Sequence, residues 1–145
     1  MVNISNLLTN LKTSLFIFLL LFAVALAAIP KQAYAQVSEF KITASDGAID
    51  DEFGKSVSIS GDYAVVGARA DGDNGSFSGS AYVFKRTGTS WAQEAKLLPS
   101  DGAAYDEFGF SVSISGDYAV VGAVLDDNNG SGSGSAYIFK RSGTS

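Results

Sequence analysis

Polar and apolar residues alternate through Ser56-Val57-Ser58-Ile59-Ser60, placing Val57 and Ile59 on one face of a strand and the serines on the other. Gly61-Asp62 follows, a two-residue loop with Gly in its first central position, as a type II′ hairpin requires. The next run, Tyr63 to Ala68, is apolar throughout and predicts a strand covered on both faces. Its Ala64, Gly67 and Ala68 leave room for a neighbouring sheet. A polar Gly/Ser loop from Arg69 to Gly79 leads to a third strand, Ser80 to Arg86, with Tyr82 and Phe84 on one face. The turn Thr87-Gly88-Thr89-Ser90 leads to a fourth, Trp91 to Leu98. There Glu94 and Lys96 share a face, and Glu39 and Lys41 repeat the pair. Such a charged face suits an outer edge strand. No helical period is sustained beyond the amino-terminal region, so the body of the chain is expected to be all-β.

The pattern occurs twice. Ser56 to Ala68 returns unchanged as Ser111 to Ala123, Asp51-Glu52-Phe53-Gly54 as Asp106-Glu107-Phe108-Gly109, and Gly79-Ser80-Ala81-Tyr82 as Gly134-Ser135-Ala136-Tyr137. Aligned without a gap, residues 36–90 and 91–145 are identical at 38 of 55 positions, which only duplication explains. Four-stranded antiparallel units repeating on this scale are the pattern of β-propeller blades. A β-sandwich is the other architecture eight strands allow, but identical packing faces in both copies favour blades. The expected fold is therefore two consecutive four-stranded blade repeats, 36–90 and 91–145, of an incomplete propeller.

The first 35 residues read differently. An unbroken apolar run, Leu15 to Ile29, follows Lys12 and precedes Pro30, Lys31 and the small-residue triplet Ala33-Tyr34-Ala35. That order is a secretory signal helix with cleavage before Gln36. The alternative is a membrane anchor, but a helix over this run covers about 22 Å of a ~30 Å hydrocarbon core. All the acidic residues follow position 35, so the mature chain carries a net charge of −7. It is expected to be secreted, periplasmic or at the cell surface, with no membrane anchor after cleavage.

A specific resemblance rests on Phe53-Gly54, Ser56-Val57, Gly61-Asp62-Tyr63 and Val65-Val66-Gly67-Ala68, matched again at Phe108-Gly109, Gly116-Asp117 and Gly122-Ala123. These residues resemble the FG-GAP repeat, the blade repeat of integrin alpha-chain heads and of many secreted bacterial proteins. The bacterial variant is the nearer form, continuing into Ser80-Ala81-Tyr82-Val83-Phe84 and Trp91-x-x-Glu94-x-Lys96-Leu97. Two departures stand out. The Pro of the motif is Arg69 in one copy and Val124 in the other. The loop that holds calcium in integrin-type blades is reduced to Gly61-Asp62 or Gly116-Asp117, too short for the six to eight oxygens calcium takes.

Few residues offer chemistry. With no Cys and no His, there is no disulfide, no thiolate nucleophile and no imidazole base or ligand. The acidic balance argues against nucleic acid as a partner. Acidic residues cluster in two loops, one with Asp46, Asp50, Asp51 and Glu52, repeated as Asp101, Asp106 and Glu107, the other with Asp71, Asp73 and Asn74, repeated as Asp126, Asp127, Asn128 and Asn129. Asp71, Asp73, Asn74, Asp126, Asp127 and Asn128 are the weak candidates for a calcium site, against the plainer reading as turn residues on solvated loops. No metal or other cofactor is expected. The sequons Asn74-Gly75-Ser76 and Asn129-Gly130-Ser131 read as Asn-Gly turns, and Lys85-Arg86 and Lys140-Arg141 as solvated strand-end charges. Trp91 is expected to pack on a neighbouring sheet.

The carboxylates recur in both copies, which points to a structural role rather than catalysis. Gly88-x-Ser90-Trp91 resembles the Asp-box turn of sialidases only without its Asp. The expected function is a non-enzymatic module for extracellular binding or adhesion, its ligand a protein or carbohydrate. A truncated fragment without activity, or a piece of a polysaccharide-acting enzyme, are the alternatives. Two blades cannot close a ring. The chain is thus expected to be part of a longer propeller, with assembly of copies as the alternative, a leading strand at Val37 to Thr43 completing a neighbour's last blade. That would give six blades from a trimer or eight from a tetramer.

Overall fold

The computed structural model describes residues 37–143; the expected signal helix lies outside them. The chain divides into Met1–Ser38 and Glu39–Ser145, and every described strand belongs to the second unit. That unit is all-β. β1 (Ser56–Ser60), β2 (Tyr63–Ala68), β3 (Ser80–Thr87) and β4 (Ser90–Leu97) form an antiparallel sheet in chain order, and β5 (Phe108–Ser115), β6 (Tyr118–Ala123) and β7 (Ser135–Lys140) form a second. The first is a four-stranded blade, the second the same blade with three strands.

The hairpin turns follow from their residues. Ser60 pairs with Tyr63 across Gly61-Asp62, with Gly61 at φ +58°, and Ser115 pairs with Tyr118 across a Gly116 at φ +55°. Only glycine takes the left-handed first position of a II′ turn without strain.

Each blade presents two faces. On one face of the first, Val66, Ala68, Tyr82 and Phe84 are buried beneath Phe53, Ile42, Ala44 and Trp91. Trp91 packs, but on this face of its own sheet rather than on a neighbouring sheet. On the other, Val65 and Ala81 join Phe108, Ala119, Val121 and Ala123 of the second blade in the core between the sheets. The Phe of each Phe-Gly motif stands edge-on to the two aromatics of its own third strand. Phe53 lies 5.5 Å from Tyr82 and 6.0 Å from Phe84, and Phe108 repeats this with Tyr137 and Phe139 at 5.4 and 6.0 Å.

Four differences from the sequence reading have physical causes. Residues 37–43 form no strand, because a strand needs a partner for its backbone groups and, among the described residues, no sheet edge lies alongside this segment. Instead Ile42 and Ala44 pack on the first blade and the Ser45 N–H donates to Gln93 Oε1 at 2.9 Å. β5 begins at Phe108 rather than Ser111, by way of an irregularity that brings Phe108 beside Gly79. β6, unlike β2, is covered on one face only, with Tyr118 and Val120 exposed on the other. Last, a register shift between Val83 and Phe84 sets Lys96 opposite Tyr82, and Lys96 turns inward instead of sharing a solvated face with Glu94.

Candidate ligand-binding end

Antiparallel order puts the two tight turns of a blade at one end and its longer loops at the other. At the loop end Lys96 is the hub of the acidic residues. Its Nζ lies 2.8 Å from Asp46, 2.9 Å from Asp71 and 2.6 Å from Asp73, and 5.1 Å from the centre of the Tyr82 ring. Asp71 is buried; its Oδ2 also accepts the Tyr82 O–H at 2.7 Å, and its Oδ1 accepts the Asp73 N–H at 3.0 Å. Burial pushes the Asp71 carboxyl up, but the hydrogen bonds from Lys96 and Tyr82 outweigh it and hold the group below its ordinary range. Burial works against the Lys96 ammonium too, and the carboxylates around it prevail, raising it above the usual lysine range. The Lys96 hydrogen bond likewise lowers Asp46.

The second blade repeats the acids without the lysine. Asp126 and Asp101 lie 2.7 and 2.9 Å from the Tyr137 hydroxyl, and Asn128 Nδ2 donates to Asp101 at 2.7 Å. The Asn128 N–H, with Tyr137, lowers the Asp126 carboxyl. The remaining candidates are turn residues. Asp127 accepts the Gly132 N–H at 2.6 Å, and Asn74 is held through its own N–H to Ser78 Oγ. In the other acidic loop, Asp51 and Asp106 each accept a turn N–H, from Ala48 and Ala103. So the structure brings Asp71 and Asp73 together around an ammonium, and sets Asp126 on a phenol with Asn128 bonded to the carboxylates there. The hub, Lys96 with Tyr82, was missed in the sequence. Its signal was the recurrence of Lys41/Lys96 and Tyr82/Tyr137 at the repeat offset.

Beside the first cluster lies an open hollow of about 480 Å³, lined among others by Asp46, Asp50, Asp73 and Phe77. On its rim Phe77 of the first repeat and Tyr105 of the second stack in parallel, centroids 6.1 Å apart and planes 12° apart, both exposed. Backbone bonds fix the pair: the Tyr105 N–H donates to Ser76 O at 2.8 Å and the Glu107 N–H to Phe77 O at 3.0 Å. Both residues are left-handed, Phe77 at φ +56° and Tyr105 at φ +72°. Gly132 occupies the site equivalent to Phe77 in the second repeat, at φ +62°. A bulky ring thus stands, solvent-exposed, where the fold itself asks for glycine. Strain of that kind gathers at functional sites.

Residues 37–84 and 91–139 each match the FG-GAP repeat. The chain belongs to the FG-GAP repeat family. Together the two matches cover most of the described residues: the first takes in Phe53-Gly54, β1, β2 and most of β3, and the second takes in β4, Phe108-Gly109 and nearly all of the second blade. No curated protein matches the chain. Within this FG-GAP protein the departure from the motif at Arg69 has a structural use. Its Nε and Nη2 grip both oxygens of Glu52 at 2.7 and 2.8 Å, and its Nη1 meets Glu107 of the next repeat at 2.7 Å.

Proposed function

We propose that this FG-GAP chain is an exported, non-catalytic binding module that takes an extracellular carbohydrate or protein at its loop end. The observation that carries the reading is the Phe77–Tyr105 pair, two exposed rings held at strained backbone positions on a rigid sheet scaffold beside an acidic hollow. Aromatic faces stack on sugar rings or apolar side chains, and the neighbouring carboxylates accept hydrogen bonds from hydroxyl or ammonium groups. The leader, ending in Ala33-Tyr34-Ala35, supports export and cleavage before Gln36.

The test separates folding from binding. Phe77→Gly removes the ring while relieving its backbone strain, so its melting temperature is expected to equal or exceed that of the wild type. Screened against a panel of glycans and extracellular matrix proteins, the wild-type chain should retain a ligand that Phe77→Gly loses at least tenfold in affinity. Equal retention by both chains would refute this placement of the site.

A further inference from the structure

One junction between repeats is filled, and the surfaces that form it recur unfilled on the outer faces of the pair. At the filled junction Ser56 Oγ donates to Gly109 O at 2.8 Å, and Ser58 Oγ accepts the Ile114 N–H at 3.1 Å. Gly67 and Gly79 let the incoming backbone approach: a Cβ on either would stand 2.0 Å from a carbonyl oxygen of Gly109 or Phe108. Val65 is fully buried there.

Among the described residues the equivalent residues of the second blade have no such partner. Ser111 and Ser113 are exposed, and a Cβ on Gly122 would meet only Ser111 of its own sheet. Val120 and Ile138, which repeat Val65 and Val83, are 40% and 71% exposed. The first blade shows the complementary lack. Its Val57 and Ile59 are 69% and 65% exposed, whereas Val112 and Ile114 pack into the junction. A Cβ on Gly54 would meet nothing within 4 Å, while one on Gly109 would lie 2.2 Å from Ser80 O.

Strand edges and charges agree. Among the described residues no strand pairs with the outer edge of β7, and residues 39–43, which repeat 94–98, lie outside both sheets. Asp101 and Asp126 both face the Tyr137 hydroxyl, whose single proton can be given to only one of them at a time. In the first blade that imbalance is met by Lys96; the residue that repeats Lys96 is the exposed Lys41.

We infer that a second copy of this chain fills these surfaces. Its residues 39–43 add to β7 in the register of β4 on β3, and its first blade covers the exposed face of the second. That register sets Lys41 opposite Tyr137 and Phe40 opposite Ile138, by analogy with Lys96 on Tyr82 and Ala95 on Val83. The Lys41 ammonium then enters the Asp101–Asp126 cluster, and Phe40 shields Ile138. The joint is head-to-tail, so every copy carries both halves and the assembly closes into a ring if the rotation allows. At roughly four to eight blades, closure takes about two to four copies. The assembly is independent of which ligand the loop end takes.

Light scattering on the chain expressed from its full sequence and recovered after export tests this. A discrete species of about two to four copies is expected. Lys41→Glu should weaken it roughly tenfold or more while leaving the β-sheet circular dichroism unchanged. Phe40→Cys with Ile138→Cys, in a chain that has no cysteine, should form disulfides between copies, seen as multimers on a non-reducing gel. A monomer at tens of micromolar, an assembly indifferent to Lys41→Glu, or disulfides confined within single copies would each overturn the proposal.

Discussion

Arg69 Nη1 lies 2.7 Å from Glu107 Oε1, an ion pair that crosses from one repeat to the next while the rest of the guanidinium holds Glu52. The planar fork suits it to grip one carboxylate with two nitrogens and a second with the third. Hydrogen bonding to Arg69 holds Glu52 below the ordinary carboxylate range and pushes the guanidinium up. The arginine replaces a motif proline that has no donor to offer, and the clasp locks the loops at the blade junction.

Removing that clasp has a measurable consequence. Arg69→Ala should lower the melting temperature by about 2–5 °C in low salt. The gap should narrow in 1 M NaCl, because the carboxylates are partly solvated and screened. Calorimetry at the two ionic strengths checks this, and a salt-independent difference would point to lost packing instead.

The Lys96 hub sets the pH range of stability. Asp71 and Asp46 have lowered folded pKa values, so their contribution is present above the unfolded value of 3.8 and is lost as pH falls below it. Lys96 is raised, so its contribution is present below 10.5 and lost as pH climbs past it. Denaturant unfolding should therefore show a plateau between about pH 5 and 9. Lys96→Met leaves the buried Asp71 carboxylate without its ammonium and should cost about 3 kcal/mol at pH 7. That cost should shrink as pH falls and the variant's Asp71, no longer held down by the ammonium, takes up a proton.

Gly67 and Gly122 are the same residue of the repeat in two surroundings. A Cβ at Gly67 would stand 2.0 Å from Gly109 O, a backbone atom that cannot move away without parting the blades. At Gly122 the obstacle is the Ser111 hydroxyl at 2.5 Å, which rotates aside. Gly67→Ala should cost roughly 3 kcal/mol or more, and Gly122→Ala under about 1 kcal/mol in dilute solution where copies are apart. Equal costs in urea titrations would contradict the packing described.

Calcium is expected to change little. In the first blade the Asp46, Asp71 and Asp73 carboxylates converge on the Lys96 ammonium, which any metal ion would have to displace. Millimolar calcium against EDTA at matched ionic strength should shift the melting temperature by no more than about 2 °C. A larger, saturable rise abolished by Asp71→Ala with Asp126→Ala would establish a site.

The sequence by itself determined the repeat, the strands from Ser56 through Lys140 and the turns between them. Strict alternation, the Gly-Asp loops and the Gly/Ser loop are local signals, and local backbone preference is enough to place such elements. It also marked Gly67 as a point of close approach, though not what approaches. Tertiary structure decided the rest. Whether residues 37–43 pair depends on a sheet being beside them, which no property of Glu39 to Thr43 specifies. Lys96 turns inward because of a register shift at Val83, and its charge then draws in Asp46 and Asp73 from separate loops. The Phe77–Tyr105 pair joins residues of two different repeats, brought together only when the blades stack. Contacts between distant residues arise from how sheets pack, and packing is decided by the whole surface of a blade rather than by any one stretch of chain.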